Sequence, residues 1–458
     1  MTEQAEPGSF RDPSGLLFTR DGILYRQVNK SYASHYDSLI DSGLYENLIN
    51  AGKLVRHEEA DQNLQASDSA YKIIRPELIP FISYPYEWCF SQLKDAALLT
   101  LDIQNQAMEC GMTLKDCSAY NVQWLRGKPI LIDTLSFETY EQGRPWAAYR
   151  QFCRHFLAPL ALMSRKDIRL GGLSKLHIDG VPLDLADRLL GIRSRTSLSL
   201  YLHIHLHAKA QEKYEDKPVD PKTLKVSRMA LLGLVDSLTG SVKRLKWKPT
   251  GTEWANYYSF TNYTDETFEY KKATVAQMLR ASKPKQVWDL GANTGMFSRL
   301  ASKMGIPVVS FDVDPAAVEK NYLEMRESTD KYLLPLVLDL TNPSGGVGWA
   351  NEERMSVSDR GPTDTAMALA LVHHLAISNN VPLLKIAEFL AGICESLIIE
   401  FVPKEDSQVQ RLLASREDVF PNYHQPGFEQ SFAEYFVIES RREIKGSKRI
   451  LYHMRRVR

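Results

Sequence analysis

The sequence predicts an α/β fold with a mostly parallel sheet in its C-terminal half, preceded by an α+β half of different pattern. Three observations support this. Val287-Trp288-Asp289-Leu290 reads as a buried strand; a turn from Gly291 to Gly295, a helix start near Met296 and a second strand ending in Asp312 follow it. Three further apolar runs, residues 334–338, 365–372 and 396–402, are short and do not alternate, as expected of strands covered on both faces. The chain then closes with residues 435–438 and 449–454 on either side of Gly446, an antiparallel terminal hairpin.

Each part of the first module has a chemical reason. Gly291 and Gly295 let the backbone press against a ligand where a β-carbon would collide. Asn293 is among the few other residue types that tolerate a left-handed turn. The helix start near Met296 directs free amide N–H groups back into the same crevice. Asp312, 21 positions after Gly291, ends the neighbouring strand, where a carboxylate accepts both hydroxyls of a ribose. Dinucleotide folds carry G-x-G-x-x-G at this point, whereas this chain has G-x-x-x-G with Asp289 two residues ahead. That acid repels a pyrophosphate and suits a ligand bearing an ammonium and a sulfonium.

The acid–turn–acid combination resembles motif I of the class I S-adenosylmethionine-dependent methyltransferases, and Asp312 matches that family's ribose-binding acid. The resemblance covers roughly residues 256–458. It implies a Rossmann-like sheet, and S-adenosyl-L-methionine held by Asp289, Gly291, Asn293, Gly295, Asp312 and Asp339, the last ending the third strand. Residues 370–375 and 399–404 are most similar to a bacterial subfamily that includes nodulation-associated host-specificity proteins. That likeness identifies no acceptor.

The N-terminal half follows another pattern. Residues 23–28 alternate as a strand, residues 36–51 read as one helix stopped by Gly52, and residues 54–56 and 71–74 are short strands around a polar loop. A helix from about Ser91 aligns Leu93, Ala97, Leu101 and Met108 and ends at Gly111. Then come Asp116, Asn121 and the apolar run 130–132 ending in Asp133. This D-x-x-x-x-N then D pattern resembles the catalytic loop and metal-binding acid of protein-kinase-like folds. The resemblance implies Asp116 as base, with Asn121 and Asp133 as Mg²⁺ ligands. Three departures stand against an active kinase: no glycine-rich phosphate loop precedes the first strands, Arg26 stands where a lysine is expected, and Asp133 is followed by Thr134-Leu135-Ser136 without the family's usual glycine pattern. A degenerate module that binds a substrate or partner is the favoured reading, and turn-capping by Asp and Asn is the plainer one.

Residues 145–247 are expected to be mostly helical, with amphipathic runs over 149–163 and 224–245. Residues 212–221, rich in charge and proline, mark a linker. The predicted organisation is an α+β domain over 1–211, a linker and connecting helix over 212–255, and a methyltransferase domain over 256–458. His203, His205 and His207 alternate, so on a strand they share one face and can hold a metal; packing between apolar neighbours is the other reading. Just before the core, Trp254, Tyr257 and Tyr258 precede a helix with Thr264 as N-cap and Phe268, Val275, Met278 and Leu279 as its stripe. Those aromatics either cover the cofactor or pack on the preceding helix.

Composition narrows the function. The 458 residues are 44% apolar and 24% charged with zero net charge, so no general basic field for nucleic acid exists. The local run Arg441, Arg442, Lys445, Lys448, Arg449, Arg455, Arg456 and Arg458 reads as a solvated strand face. Five cysteines without paired spacing argue against a disulfide framework. Neither a secretion signal nor a membrane span is predicted, which points to a cytoplasmic protein. The place where nucleobase methyltransferases carry N/D-P-P-Y/F or Pro-Cys reads Leu371-Val372-His373-His374-Leu375. A histidine there suits general-base work on an oxygen or nitrogen nucleophile, and orienting the loop or contacting adenine is the alternative for both. The expected activity is methylation of a small-molecule O or N acceptor. A bifunctional enzyme using Mg²⁺ and ATP, and a non-catalytic binding module, stay open.

Overall fold

The computed structural model describes residues 3–192, 194, 197–206, 225–249, 265–414 and 416–457. The chain divides into two compact units, Met1–Lys248 with Gly346–Arg354, and Pro249–Gly345 with Met355–Arg458. Among the described residues no helix is long and apolar enough to cross a membrane. The linker at 212–221, His207, and the approach aromatics with Thr264 lie outside the described residues.

The first unit begins with five antiparallel strands, β1 (Glu3–Ala5), β2 (Gly15–Arg20), β3 (Ile23–Asn29), β4 (His57–Ala60) and β5 (Ala70–Pro76), in the order β1-β2-β3-β5-β4. Its apolar face gathers Val28, Tyr32, Tyr36, Ile74 and Leu135. The predicted single helix over 36–51 is two helices, Ala33–Asp41 and Leu44–Asn50. Gly43, at φ +73°, breaks it, since only glycine enters that region at no steric cost. The long helix Phe90–Glu109 buries Leu93, Ala97, Leu101 and Met108 as its periodicity predicts. It is followed by β6 (Met112–Leu114), the hairpin β7 (Val122–Leu125) and β8 (Lys128–Leu131), and β9 (Phe137–Thr139), which pairs with β6. The helix Arg228–Arg244 packs along the long helix, and Lys94 Nζ donates to Leu245 O at its end (2.8 Å).

His203 and His205 do not lie on a strand. His203 and His205 sit in a wide helical turn, Tyr201–His205, and both are buried. His203 Nδ1 and Nε2 meet the hydroxyls of Tyr149 (2.8 Å) and Ser237 (2.9 Å). His205 meets Asp187 and Ser194. Both rings are thus taken up by packed neighbours, and among the described residues no group of three His, Cys, Asp or Glu side chains is placed to hold a metal.

The second unit is a seven-stranded sheet of β10 (Val287–Leu290), β11 (Val308–Asp312), β12 (Leu333–Val337), β13 (Thr363–Ala368), β14 (Cys394–Phe401), β15 (Phe436–Glu443) and β16 (Ile450–Arg456). Its order is β12-β11-β10-β13-β14-β16-β15. The pairs from β12 through β14 are parallel, and β16 runs antiparallel to both β14 and β15. Every residue of β10 and β11 is buried, which explains their uninterrupted apolar pattern. The order doubles back at β10 and β13, so the crevice beyond their C-terminal ends is where a ligand belongs in such a sheet.

Candidate functional site

A cavity of ≈ 440 Å³ opens at that crevice. Its wall takes residues from the ends of β10, β11, β12 and β13 and from the helix Asp265–Ser282: Asp289, Gly291, Ala292 and Asn293; Asp312 and Val313; Asp339; Leu371 and His374; Phe268 and Lys271. Of the cofactor residues expected from sequence, Asp289, Gly291, Asn293, Asp312 and Asp339 therefore share one wall. Gly295 is not part of it.

The turn is built by backbone bonds. The amides of Gly291 and Ala292 both donate to Phe311 O (2.9 Å each), binding the turn to the end of β11. Gly291 and Asn293 adopt φ +75° and +52°. A β-carbon on Gly291 would lie 3.1 Å from the Leu371 side chain, so glycine keeps the cavity floor open. At Gly295 (φ +79°) the added carbon would collide with the amide of Asn321, a protein neighbour and not a ligand position. The expected approach of this glycine to the ligand is thus corrected: it makes room for a side chain. The predicted helix starts later and is short, Ser298–Ser302.

Two carboxylates dominate the electrostatics. Asp312 accepts from the amides of Asn293 (2.7 Å) and Asp314 (2.8 Å). Asp289 accepts from Ser298 Oγ (2.6 Å), whose oxygen also lies 3.1 Å from Ser310 Oγ. Burial outweighs these donors and raises both acids, Asp289 to about 7 and Asp312 to about 6. A buried carboxylate with so few donors is short of positive charge, and a cationic ligand meets that need. Asp339 is exposed, with one oxygen accepting from Thr341 N and Oγ1 (2.8 and 2.6 Å).

The cavity also carries charge that the sequence reading missed. Lys271 Nζ donates to Glu400 Oε2 (2.6 Å) and lies 4.8 Å from the centre of the Phe297 ring. Arg449 lines the same cavity, pairing with Asp406 through Nε (2.7 Å) and Nη2 (3.0 Å) and approaching Glu400 at 3.5 Å. Desolvation lowers the Lys271 pKa, and Glu400 opposes that shift. Arg449, only 3% exposed, corrects the expected solvated basic face at this residue. The missed signals were a lysine on the apolar stripe of its helix and an acid inside the apolar strand β14.

The two histidines follow β13 on a helical segment and not on the strand, so they point about 100° apart and not to opposite faces. His374 lines the cavity; His373 does not. His373 is fully buried with neither ring nitrogen hydrogen-bonded, and its ring centre lies 4.1 Å from that of His374. Burial lowers His374 to about 4 and His373 well below the usual range.

Asp116, Asn121 and Asp133 belong to the first unit. Asp116 Oδ1 accepts from Ser118 N (2.9 Å) and Gln151 Nε2 (2.7 Å). Burial and the Asp133 charge raise its pKa. Asn121 Nδ2 donates to Ser136 Oγ (3.2 Å), and Asp133 is bound by Ser136 Oγ (2.6 Å), Leu135 N (3.0 Å) and Arg26 Nη2 (2.8 Å).

No family model matches the chain. It is 35% identical to the nodulation protein NoeA of Rhizobium meliloti (strain 1021), over 98% of this chain and 95% of that protein. Among solved structures it is similar to magnesium protoporphyrin IX methyltransferase (ChlM) of Synechocystis PCC 6803 with bound SAH: 17% identity, 44% of this chain, 93% of that chain, TM-score 0.32. It is also similar to the N-methyltransferase NodS of Bradyrhizobium japonicum WM9: 11% identity, 42% of this chain, 98% of that chain, TM-score 0.31.

Proposed function

The chain belongs to the family of the nodulation protein NoeA, with a likeness that spans both of its units, and from that premise we propose a methyltransferase that uses S-adenosyl-L-methionine. One observation carries the reading: two buried carboxylates, Asp289 and Asp312, end adjacent parallel strands at one cavity floored by a left-handed glycine turn. When bound, S-adenosylmethionine supplies an electrophilic methyl on a cationic sulfur. In this reading Asp312 accepts the ribose hydroxyls, Asp289 faces the cationic amino-acid end, and Asp339 binds from the third strand.

The acceptor is read as a small molecule with an oxygen or nitrogen nucleophile. Methyl transfer is an in-line displacement, so holding the nucleophile in line supplies much of the acceleration. With its pKa near 4, His374 is neutral at physiological pH and a weak base. Its role in this reading is to accept a hydrogen bond from the nucleophile and orient it. His373, away from the cavity, supports the turn.

A second reading concerns the first unit. Its sheet order, the helices between β3 and β4, and the hairpin that follows Asp116 and Asn121 support a kinase-like architecture. We take this unit as a binding module and not as a phosphotransferase. Calorimetry of the full chain with S-adenosylmethionine, then with ATP and Mg²⁺, tests both readings. Binding of the first and none of the second is expected. No binding of the first by folded protein removes the methyltransferase. Transfer of radiolabelled methyl to small molecules of a cell extract tests the acceptor class.

A further inference from the structure

A kinase-like fold implies Mg²⁺ held by Asn121 and Asp133, and the residues present do not fit that ion. Mg²⁺ needs oxygen ligands at about 2.0–2.1 Å in near-octahedral geometry. Asp133 is largely taken up: Oδ1 accepts from both Arg26 Nη2 (2.8 Å) and Leu135 N (3.0 Å), and Oδ2 accepts from Ser136 Oγ (2.6 Å). Asn121 Nδ2 donates to Ser136 Oγ (3.2 Å), the hydroxyl that binds Asp133. Arg26 is 14% exposed in its side chain and also lies 3.6 Å from Asp12 Oδ2. Asp12 in turn approaches Lys115 Nζ (3.7 Å), which donates to Ser14 Oγ (2.6 Å).

We propose that the guanidinium of Arg26 takes the place of a divalent metal at this acidic cluster, so that the first unit works without bound metal. An arginine cannot leave the site by losing its proton, and a second, doubly charged cation beside it would be repelled. Arg26 and Lys115 are set against Asp12 and Asp133 within the cluster, and Asp116 lies close enough for the Asp133 charge to raise its pKa. Phosphoryl transfer relies on metal ions to neutralise developing charge. This unit therefore suits a ligand that arrives without a metal.

The test is Mn²⁺ titration of the full chain, following free Mn²⁺ by electron paramagnetic resonance. Wild type and Asp133→Asn should take up equally little. Arg26→Met should gain one site at least about tenfold tighter than wild type, and Asp133→Asn in that background should abolish it. Uptake by wild type that Asp133→Asn removes would overturn the proposal. So would an Arg26→Met protein that melts cooperatively, keeps its cofactor affinity and gains no site. If Arg26→Met does not fold, the comparison of wild type with Asp133→Asn, repeated with ATP present, decides alone: uptake sensitive to Asp133 refutes, and its absence supports.

Discussion

Lowering the pH should weaken cofactor binding steeply, because the two acids of the cavity hold protons in the empty site. Burial raises Asp289 from 3.8 to about 7 and Asp312 from 3.8 to about 6. Both must ionise to meet a cation and two ribose hydroxyls. One pH unit below its pKa, an acid is ionised in about a tenth of molecules. At pH 6 the expected loss is thus about tenfold from Asp289 and about twofold from Asp312. At pH 5 the factors are about a hundred and about ten, together about a thousandfold relative to pH 8. Adenosine, which carries no charge, should sense Asp312 alone and lose only about tenfold at pH 5. Without ligand, the folded chain keeps protons that the unfolded chain releases between pH 3.8 and about 7. The two groups therefore make the empty protein less stable as pH rises through that window, and a cationic ligand offsets this. The thermal shift produced by S-adenosylmethionine should accordingly grow from pH 5 to pH 8. Calorimetry across that range, in buffers of different ionisation enthalpy, measures both affinity and proton release. A flat profile in folded protein, with no proton released, would refute the assignment of these acids.

Asp312→Ala should weaken cofactor affinity about a hundredfold or more and also lower the melting temperature, since the amides of Asn293 and Asp314 lose their acceptor; unchanged affinity would sink the role. Lys271→Met should cost about 3–5 kcal/mol by leaving Glu400 buried and partly unpaired, and Glu400→Gln in the same chain should recover part of it in a double-mutant cycle. Gly295→Ala should destabilise by more than the roughly 1–2 kcal/mol of a left-handed residue, and Asn321→Ala should rescue part of that loss. His374→Ala should lower turnover while cofactor affinity holds, and at saturating cofactor the wild-type turnover number should show no limb between pH 6 and 7; an ionisation near 6.5 that vanishes in the variant would instead make it the general base. His373→Leu should leave turnover near normal, because neither of its nitrogens has a hydrogen bond to lose.

What was legible in the sequence was local. The strands β10 and β11, the glycine turn and the terminal hairpin follow from apolar runs and turn residues that act within a few positions. The long helix Phe90–Glu109 was read from its apolar periodicity for the same reason. The split at Gly43 was missed because a glycine inside a helical pattern is ambiguous until its φ is known. Three histidines at alternate positions suggested a strand, yet His203 and His205 lie in a helical turn, and spacing alone does not choose between the two. Lys271 and Arg449 were not read as site residues because their partners, Glu400 and Asp406, lie 129 and 43 positions away.

Asp133 and Asp312 show how far one sequence signature goes. Each ends or follows an apolar strand, each accepts backbone amides, and from sequence each passes for a ligand-binding acid. Asp312 meets the cavity with the amides of Asn293 and Asp314 as its donors, and burial leaves it hungry for positive charge. Asp133 is covered by a guanidinium from β3, 107 positions earlier, and two further donors. The difference lies in what the rest of the fold brings to the oxygen: at Asp312 an opening, at Asp133 a cation. If that contrast governs function, charge-removing changes should act in opposite directions. Asp312→Asn should cost ligand binding in the second unit, whereas Arg26→Met should create cation binding in the first. Both can be read on one full-length protein, by calorimetry and by free Mn²⁺. Loss of ligand binding in the first variant without gain of cation binding in the second would leave Asp133 a structural acid and nothing more.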